Sequence, residues 1–239
     1  CRNDKGEWVI INGNQTCMMY CYYIINNMKK LGKMRDDMYL VKTIVTSELI
    51  RKIADKQGVT LTDEYTGFKW IANRIREWEG TRKYIGGGEE SFGFLPYDAV
   101  RDKCSPSAIC LICEIAAYAK DNGMTLYDYL LQIYAEYGFQ RETTINVVRP
   151  GKTGAEEIQA MMLNYRTNPP QEIAGEKVVK VKDFKTLIQR ELINGEWVET
   201  PIEMAVGATS NVLQYFTENG LKASVRPSGT EPKIKFYFE

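Results

Sequence analysis

The sequence predicts an α/β protein whose mixed, mainly parallel three-layer domain is followed by a small α+β domain with an antiparallel sheet. Up to about residue 139, short strand-like runs alternate with amphipathic helical runs. That alternation is typical of a parallel sheet covered by helices on both faces. Beyond this point, strand-like runs cluster around one helical run and are joined by hairpin turns, as in α+β folds. We therefore place the two domains at residues 13–139 and 140–239.

Composition narrows the class of protein. The 239 residues are 44% hydrophobic and 26% charged, which is ordinary for a globular chain. Equal numbers of basic and acidic residues, 31 each, argue against a nucleic-acid binder that relies on overall charge. The absence of histidine excludes Ser-His-Asp and Cys-His catalysis and histidine metal sites. No apolar run reaches the roughly 20 residues of a membrane span, and the start does not resemble a signal peptide. We therefore expect a cytoplasmic protein without a membrane partner.

The six cysteines, at positions 1, 17, 21, 104, 110 and 113, favour packed free thiols over a metal site. Two pairs lie in apolar helical runs, namely Cys17 with Cys21 and Cys110 with Cys113. We interpret both pairs as small hydrophobic core residues, with zinc binding as the weaker alternative.

The first domain is predicted to run through strands and helices in turn. "EWVII" is predicted as a strand, and Asn14 as the cap of the helix "QTCMMYCYYIINNMKKL". The strand "MYLVKTIV" precedes a helix that Ser47 caps and Gly58 ends. "VTLTDEYT" then leads into the helix "FKWIANRIREWEG", and "KYI" leads into a glycine-rich loop. Two more helices follow; the first has Ser105 as its cap with Pro106 as its first residue, and the second is "TLYDYLLQIYAEYG".

The second domain is predicted to contain one helix and several strands. "RETTINVVR" is a strand, and Thr153 with Glu156 forms a capping box that opens the helix "TGAEEIQAMMLNYR". "KVVKVKDFKT" and "WVETP" are strands, "NVLQYFTENGLKASVRP" is a hairpin that turns at Asn219–Gly220, and "KIKFYFE" completes the sheet. The run "GKT" imitates a P-loop, but Asn146 stands where that motif needs glycine. We interpret it as a turn.

The run "GGGEESFG", residues 86–93, is the first candidate binding loop. It follows a strand end, where ligands of parallel sheets gather, and its glycines allow a ligand to approach the backbone. Glu89, Glu90 and Ser91 offer the acceptors and the hydroxyl that sugar hydroxyls need. Lys42 and the run "EYTGFKW" lie at neighbouring strand ends. The alternative is a tight turn with solvated carboxylates.

The run "RPSGTEPK" near the end of the chain is the second candidate loop, and its composition predicts an anion site. Arginine can fork two hydrogen bonds to a phosphate, and hydroxyls and backbone amides can fill the remaining positions. The candidates lie within eight residues, and they are Arg226, Ser228, Gly229, Thr230 and Lys233. The alternative is an ordinary polar hairpin turn.

Four runs together, "VKTIVTSELI", "TGFKW", "GEESFG" and "RPSGTEPK", resemble in order and spacing the phosphoglucomutase/phosphomannomutase (alpha-D-phosphohexomutase) family. The resemblance covers the whole chain. It implies that the chain is the third and fourth of four domains around one cleft, with residues 1–12 as the tail of the second. The phosphoserine loop of the first domain and the Mg²⁺-binding loop of the second would then lie outside this chain. We expect no catalytic and no metal residue here, and partners in the missing domains.

The resemblance also implies roles and ligands. The ligands would be glucose 1-phosphate, glucose 6-phosphate and glucose 1,6-bisphosphate. The sugar-binding residues would be Lys42 near the reacting phosphate, Thr66, Gly67 and Lys69 facing the sugar, Glu89 and Ser91 on its hydroxyls, and Lys103 beside them. The non-transferring phosphate would be clamped by Arg226, Ser228, Gly229, Thr230 and Lys233.

Two positions depart from the family pattern. Cys104 follows Lys103 where many relatives carry Asp, and Phe92 stands where many bacterial members carry His, which favours glucose phosphates. The alternative function is a non-catalytic module that binds sugar phosphates.

Overall fold

The computed structural model describes residues 1–204, 207–229 and 231–239. The chain divides into two units, Cys1–Gln140 and Arg141–Glu239. The predicted fold class is confirmed, since a mostly parallel sheet with helices is followed by an antiparallel sheet. The run "EWVII" is not a strand as predicted, because its backbone pairs only through one isolated bridge between Arg2 and Trp8.

The first unit is a three-layer structure. Its elements in chain order are α1 (Gly13–Lys30), β1 (Met38–Thr43), α2 (Leu49–Gln57), β2 (Thr60–Glu64), α3 (Phe68–Glu77), β3 (Lys83–Gly88), β4 (Phe94–Leu95), α4 (Ser105–Asp121) and α5 (Leu126–Tyr137). The strand order is β2-β1-β3-β4, with β1 parallel to both β2 and β3. Alternate residues of β1 face opposite layers. Leu40 packs with α1, α2, α4 and α5, whereas Tyr39 and Val41 pack with α3.

Local capping differs from the prediction at the start of α1. The cap is Asn12, not Asn14, and Asn12 forms a capping box with Gln15 because the helix begins at Gly13. The Asn14 side chain instead accepts a hydrogen bond from the backbone N–H of Ser47 at 2.9 Å. It therefore ties α1 to the loop that follows β1.

The ends of α2 and α4 also refine the prediction. Gly58 ends α2 in the left-handed conformation, as predicted. Glu48 directly precedes the first residue of α2 but makes no side-chain capping bond, whereas the hydroxyl of Ser47 accepts from the backbone N–H of Leu49 at 3.2 Å, as expected of the predicted cap. Cys104 precedes the first residue of α4, so Ser105 lies inside the helix rather than capping it.

The cysteines fall into two groups. Cys17 and Cys21 are buried in the core, as predicted, but Cys110 and Cys113 are exposed. The helix α4 buries Ala108, Ile115 and Ala119 instead, and the two thiols lie on the other side of this helix. Because the sequence of α4 is mostly apolar in its middle, it did not indicate which face of the helix packs on the core.

The glycines of β3 serve strand packing rather than ligand approach, in contrast to the prediction. Gly87 and Gly88 are buried. A Cβ atom on Gly87 would overlap the carbonyl oxygen of Val41 on β1, and one on Gly88 would lie 2.6 Å from the carbonyl oxygen of Gly93. Only glycine permits these contacts.

The second unit is an antiparallel sheet with one helix on it. Its elements are β5 (Thr143–Val148), α6 (Gly151–Thr167), β6 (Glu172–Ile173), β7 (Glu176–Asp183), β8 (Ile188–Ile193), β9 (Glu196–Pro201), β10 (Leu213–Thr217), β11 (Lys222–Pro227) and β12 (Lys233–Phe238). The strand order is β5-β12-β11-β10-β7-β8-β9. Buried residues of α6, among them Ile158 and Met162, pack on Val225 and Ile234.

Three details of the second unit bear on the predictions. The hairpin at Asn219–Gly220 is confirmed, since β10 and β11 pair on either side of it. The strand β8 was not predicted. The capping box of Thr153 and Glu156 is wrong, because α6 begins two residues earlier, at Gly151, behind Pro150.

None of the helices in the described ranges combines the length and the apolar character needed to cross a bilayer.

A buried lysine joins three elements of the first unit. Lys42 on β1 is 0% exposed. Its Nζ lies 3.1 Å from Glu48 Oε1 and 3.0 Å from Asp63 Oδ1. It also donates to the carbonyl oxygen of Thr46 at 3.1 Å. Arg51 of α2 lies 3.0 Å from the second oxygen of Asp63. The ammonium therefore links β1, β2 and the start of α2.

We expect Lys42→Met to lower the free energy of unfolding by about 2–3 kcal/mol, because two partly buried carboxylates lose their shared cation. Thermal and urea denaturation of the chain measure this loss. The control is Lys52→Met, since Lys52 is exposed on α2 and its removal leaves this network intact. An unchanged stability for Lys42→Met would contradict the structural role and leave this lysine available for a ligand.

Candidate functional site

The carboxyl ends of the three parallel strands bring the predicted sugar-binding loops to one edge of the sheet in the first unit. β1 ends at Thr43, β2 at Glu64 and β3 at Gly88. Ligands of parallel sheets bind outside this edge. The segments that follow the strands are residues 44–48, 65–67 and 89–93.

Glu89 is the centre of the site at this edge. Its side chain is buried, and Oε1 accepts a hydrogen bond from the backbone N–H of Gly67 at 3.1 Å. The second oxygen lies 3.8 Å from Nζ of Lys103. Burial raises the pKa of Glu89 above its usual range, and the neighbouring Glu90 raises it further, against the opposing effects of Lys103 and the Gly67 amide. Three predicted site residues, Gly67, Glu89 and Lys103, are thus brought together.

Glu90 belongs to a second cluster of polar side chains, which was not predicted from the sequence. Its Oε2 lies 3.4 Å from the hydroxyl oxygen of Thr43 and 3.5 Å from that of Thr46. The two hydroxyl oxygens lie 2.8 Å apart, so one hydroxyl donates to the other, which in turn can donate to Glu90. The signal in the sequence was Thr43 near the end of the predicted strand "MYLVKTIV" and Thr46 directly after this strand. It did not show that the threonines would meet a carboxylate from another loop.

The loop of residues 89–93 is held in a fixed shape. The backbone N–H of Glu89 donates to the carbonyl of Gly93 at 2.8 Å. A Cβ atom on Gly93 would lie 2.8 Å from Glu89 Oε2, so a larger residue there would displace this carboxylate. On the other side, a Cβ atom on Gly13 would overlap the carbonyl of Glu90. The first turn of α1 therefore supports the loop from behind.

The other predicted sugar-binding residues are placed differently. Lys42 is enclosed in the ion network described above. Thr66 is half-buried, and Ser91 is exposed at the tip of the loop. Lys69 is exposed on α3, with its Nζ 4.9 Å from the ring centroid of Trp70. It lines a groove of about 380 Å³ whose other lining residues are Ala72, Asn73, Arg76, Glu79 and Arg101.

The predicted phosphate loop of the second unit is the hairpin connection between β11 and β12. The backbone N–H of Ser228 donates to the carbonyl of Lys233 at 2.8 Å, which closes the loop. The hydroxyl of Ser228 accepts from the N–H of Glu231 at 3.3 Å. Gly229 is exposed, with open space where a side chain would lie. Thr230 lies outside the described residues.

Three cations share one face of the sheet beside this loop. Arg226 and Lys235 are cross-strand partners, and Lys233 lies two residues before Lys235, so all three side chains leave the same face. Lys233 lies 2.5 Å from Glu231, and this ion pair lowers the pKa of Glu231. Arg226 is half-buried, and within the described ranges its guanidinium has neither a hydrogen bond nor an ion pair. Lys235 was missed, although the alternation in "KIKFYFE" could have revealed it.

Comparison with known families gives two adjacent matches. Residues 12–137 match the family of phosphoglucomutase/phosphomannomutase, alpha/beta/alpha domain III. Residues 145–239 match the family of the phosphoglucomutase/phosphomannomutase C-terminal domain.

Similar curated proteins include two phosphoglucomutases. The one from Staphylococcus haemolyticus strain JCSC1435 is 33% identical over 237 residues. The one from Staphylococcus aureus strain MRSA252 is 35% identical over 238 residues. In both comparisons the match covers 99% of this chain and 41% of the relative. The chain therefore spans about two fifths of the length of these relatives.

Solved structures share the fold. The open form of the phosphoglucomutase pp63/parafusin from Paramecium has a TM-score of 0.60 at 16% identity, covering 98% of this chain and 37% of the other. A serine-to-alanine variant of the Aspergillus fumigatus N-acetylphosphoglucosamine mutase, in complex with glucose 1,6-bisphosphate, has a TM-score of 0.51 at 10% identity, covering 99% of this chain and 41% of the other.

The two family matches together account for almost the whole chain, and they occur in the order and at the positions of the two structural units. The chain therefore belongs to the phosphoglucomutase/phosphomannomutase family, with the alpha/beta/alpha domain III of that family followed by its C-terminal domain.

Proposed function

We propose that this chain is the half of a hexose phosphate mutase that binds the sugar and the phosphate that is not transferred. The observation that carries the proposal is Glu89. Its carboxylate is buried at the carboxyl edge of a parallel sheet, held by the Gly67 amide and near Lys103. Burial and the neighbouring Glu90 both disfavour the ionised form of Glu89. Hydroxyl groups of a sugar would donate hydrogen bonds to this carboxylate and so stabilise its charge.

In this proposal Glu89 accepts hydrogen bonds from hexose hydroxyls, with Ser91 and Thr66 beside it. Lys69 faces the sugar from α3, and Lys103 orients the Glu89 carboxylate. A mutase must hold the hexose in two opposite orientations, so that either phosphorylated carbon can react. A carboxylate with two equivalent oxygens can serve a pair of vicinal hydroxyls in either direction. Lys42 contributes through the strand ends that it joins, because its ammonium is already enclosed by Glu48 and Asp63.

The hairpin of the second unit is proposed to hold the phosphate. The guanidinium of Arg226 can donate two parallel hydrogen bonds to phosphate oxygens. Ser228 and the amide of Gly229 are proposed to fill further positions, together with Thr230, and Lys233 and Lys235 add positive charge. The support is the single face shared by the three cations and the half-buried guanidinium of Arg226.

Magnesium and the phosphoryl-donating serine are proposed to belong to another part of a full-length mutase, in which this chain follows an N-terminal half. Within the described residues, no group of three His, Cys, Asp or Glu side chains could hold a metal ion, so the residues present do not fit such a site. Mg²⁺ neutralises phosphoryl charge in enzymes of this reaction type, and no step of it is assigned to this chain.

The second candidate is a module that binds sugar phosphates without catalysis. The observation that favours it is that both candidate loops lie in this chain, Glu89 at the first and Arg226 beside the second, and neither loop supplies a phosphoryl donor. The two candidates differ in whether catalysis accompanies binding.

We expect the 239-residue chain alone to be inactive, and the full-length mutase to interconvert glucose 1-phosphate and glucose 6-phosphate. Substrate binding without a phosphoryl donor does not lower the reaction barrier. A coupled assay for glucose 6-phosphate measures both proteins, and mannose 1-phosphate tests the preference for glucose. Turnover by the chain alone, in a preparation free of contaminating mutase, would contradict the proposal that this chain only binds the substrate while another part of the protein donates the phosphoryl group. Hexose phosphate binding without turnover by the full-length protein would favour the non-catalytic module.

Glu89→Gln should weaken glucose 1-phosphate binding by about 1.5–3 kcal/mol, because a charged acceptor is lost. It should leave the melting temperature at neutral pH equal or higher, because the raised pKa of Glu89 shows that its ionised form is disfavoured in the folded chain. As the pH falls through the raised pKa, the folded wild type takes up a proton before the unfolded chain does and gains stability. The advantage of the variant should therefore shrink towards acidic pH.

The measurements for Glu89→Gln are ligand titration at neutral pH and melting curves across the acidic range. Asp121→Asn is the control, since Asp121 is exposed at the end of α4. A large fall in melting temperature at neutral pH with unchanged binding would mean that the Glu89 carboxylate is structural.

Arg226→Ala should weaken glucose 1-phosphate binding by about thirtyfold to a thousandfold and leave binding of glucose unchanged. Arg226→Lys should recover only part of the affinity, because an ammonium cannot reproduce the two parallel hydrogen bonds. Titration of the full-length mutase with both ligands measures this. Arg190→Ala is the matched control, since Arg190 is half-buried on β8 of the same sheet. Equal weakening of both ligands by Arg226→Ala would show that the hairpin does not recognise phosphate.

A further inference from the structure

The tip of the loop of residues 89–93 carries an unusual residue. Phe92 has a φ of +67°. This value lies in the left-handed region, which residues other than glycine, asparagine and aspartate rarely adopt. The residue is 61% exposed. The turn between β3 and β4 requires this backbone conformation, but glycine or asparagine would satisfy it at lower conformational cost. Both the strained backbone and the exposed ring are unfavourable for the folded chain alone.

The loop cannot relax this strain by moving. The hydrogen bond from the Glu89 N–H to the Gly93 carbonyl closes the loop. The first turn of α1 lies against its inner side, where a Cβ atom on Gly13 would lie 2.8 Å from the Phe92 backbone nitrogen. Glu89 and Glu90 are both anchored by hydrogen bonds to other segments. The ring is therefore presented outwards by a fixed framework.

We infer that the Phe92 ring is an apolar platform for the hexose, on which the C–H face of the pyranose packs while its hydroxyls meet Glu89. This inference rests on the proposed function and adds a residue to the same site. An aromatic ring has a negative face that attracts polarised C–H groups, and covering it removes apolar surface from water. Strain stored at an exposed tip is typical of residues that meet a ligand.

The platform also suits a ligand that binds in two orientations. Hydrogen bonds depend on direction, whereas contact between a flat ring and a sugar face does not impose one. Phe92 thus contributes to hexose affinity in either orientation, and it contributes nothing to phosphate alone. This separates its role from that of the phosphate hairpin.

The test compares Phe92→Gly and Phe92→Tyr with the control Phe139→Leu in the 239-residue chain. Phe139 is 74% exposed elsewhere in the first unit. Each protein is melted and is titrated with glucose 1-phosphate and with inorganic phosphate. We expect Phe92→Gly to raise the melting temperature by about 2–4 °C, because glycine relieves the strain. It should weaken glucose 1-phosphate binding by about threefold to tenfold and leave phosphate binding unchanged.

The other variants and outcomes complete the test. Phe92→Tyr should keep the affinity for glucose 1-phosphate within about twofold, since it retains the ring, and Phe139→Leu should bind as the wild type does. Unchanged glucose 1-phosphate affinity in Phe92→Gly, or equal weakening of phosphate, overturns the role of Phe92 and leaves the proposed function standing. A fall in the melting temperature of Phe92→Gly that exceeds the effect of glycine on the entropy of the unfolded chain also overturns it, because the ring then packs on protein. Failure of the wild-type chain to bind either ligand overturns the proposed function and the platform together.

Discussion

The close approach of β3 to its neighbouring strands determines where the polar groups of the first unit lie. The contact of Gly87 with Val41, and of Gly88 with Gly93, leaves no room for side chains between the strands. Because β3 approaches its neighbouring strands this closely, the chain leaves the sheet at Glu89 beside the ends of β1 and β2. The carboxylate then meets the Gly67 amide without extending into solvent. A larger residue in β3 would shift the strand and separate the loops that together form the edge.

Two buried charges in this unit, those of Lys42 and Glu89, are compensated differently, and the difference bears on which of them the proposed ligand would contact. The ammonium of Lys42 has two carboxylates within about 3 Å, so its charge is neutralised by the fold itself. The carboxylate of Glu89 has a lysine only at 3.8 Å, and Glu90 opposes its ionisation. A charge that the fold leaves incompletely balanced is better suited to a ligand than one that is fully paired. Among the described residues, the same comparison distinguishes Arg226, whose guanidinium has no ion pair there, from Lys233, which has Glu231 as its partner.

Features that depend on local chemistry could be predicted from the sequence, and features that depend on distant packing could not. The hairpin at Asn219–Gly220 follows from the turn preference of two adjacent residues, and Gly58 ends α2 for a similarly local reason. The burial of Lys42 depends on Asp63, which is distant in sequence and arrives through the register of β2 against β1. A lysine at a strand end is otherwise most often solvated. Likewise, apolar composition could not show that Cys110 faces solvent, because both sides of α4 carry apolar residues and only the side with Ala108, Ile115 and Ala119 is buried.

The support that α1 gives to the loop of residues 89–93 has a thermodynamic consequence. A loop that orders only when its ligand arrives loses backbone entropy at that moment, and this loss is subtracted from the affinity. Here the closing hydrogen bond and the contact at Gly13 fix the backbone during folding. A ligand that reaches this edge therefore finds a surface already formed, and the freedom lost on association is mainly its own.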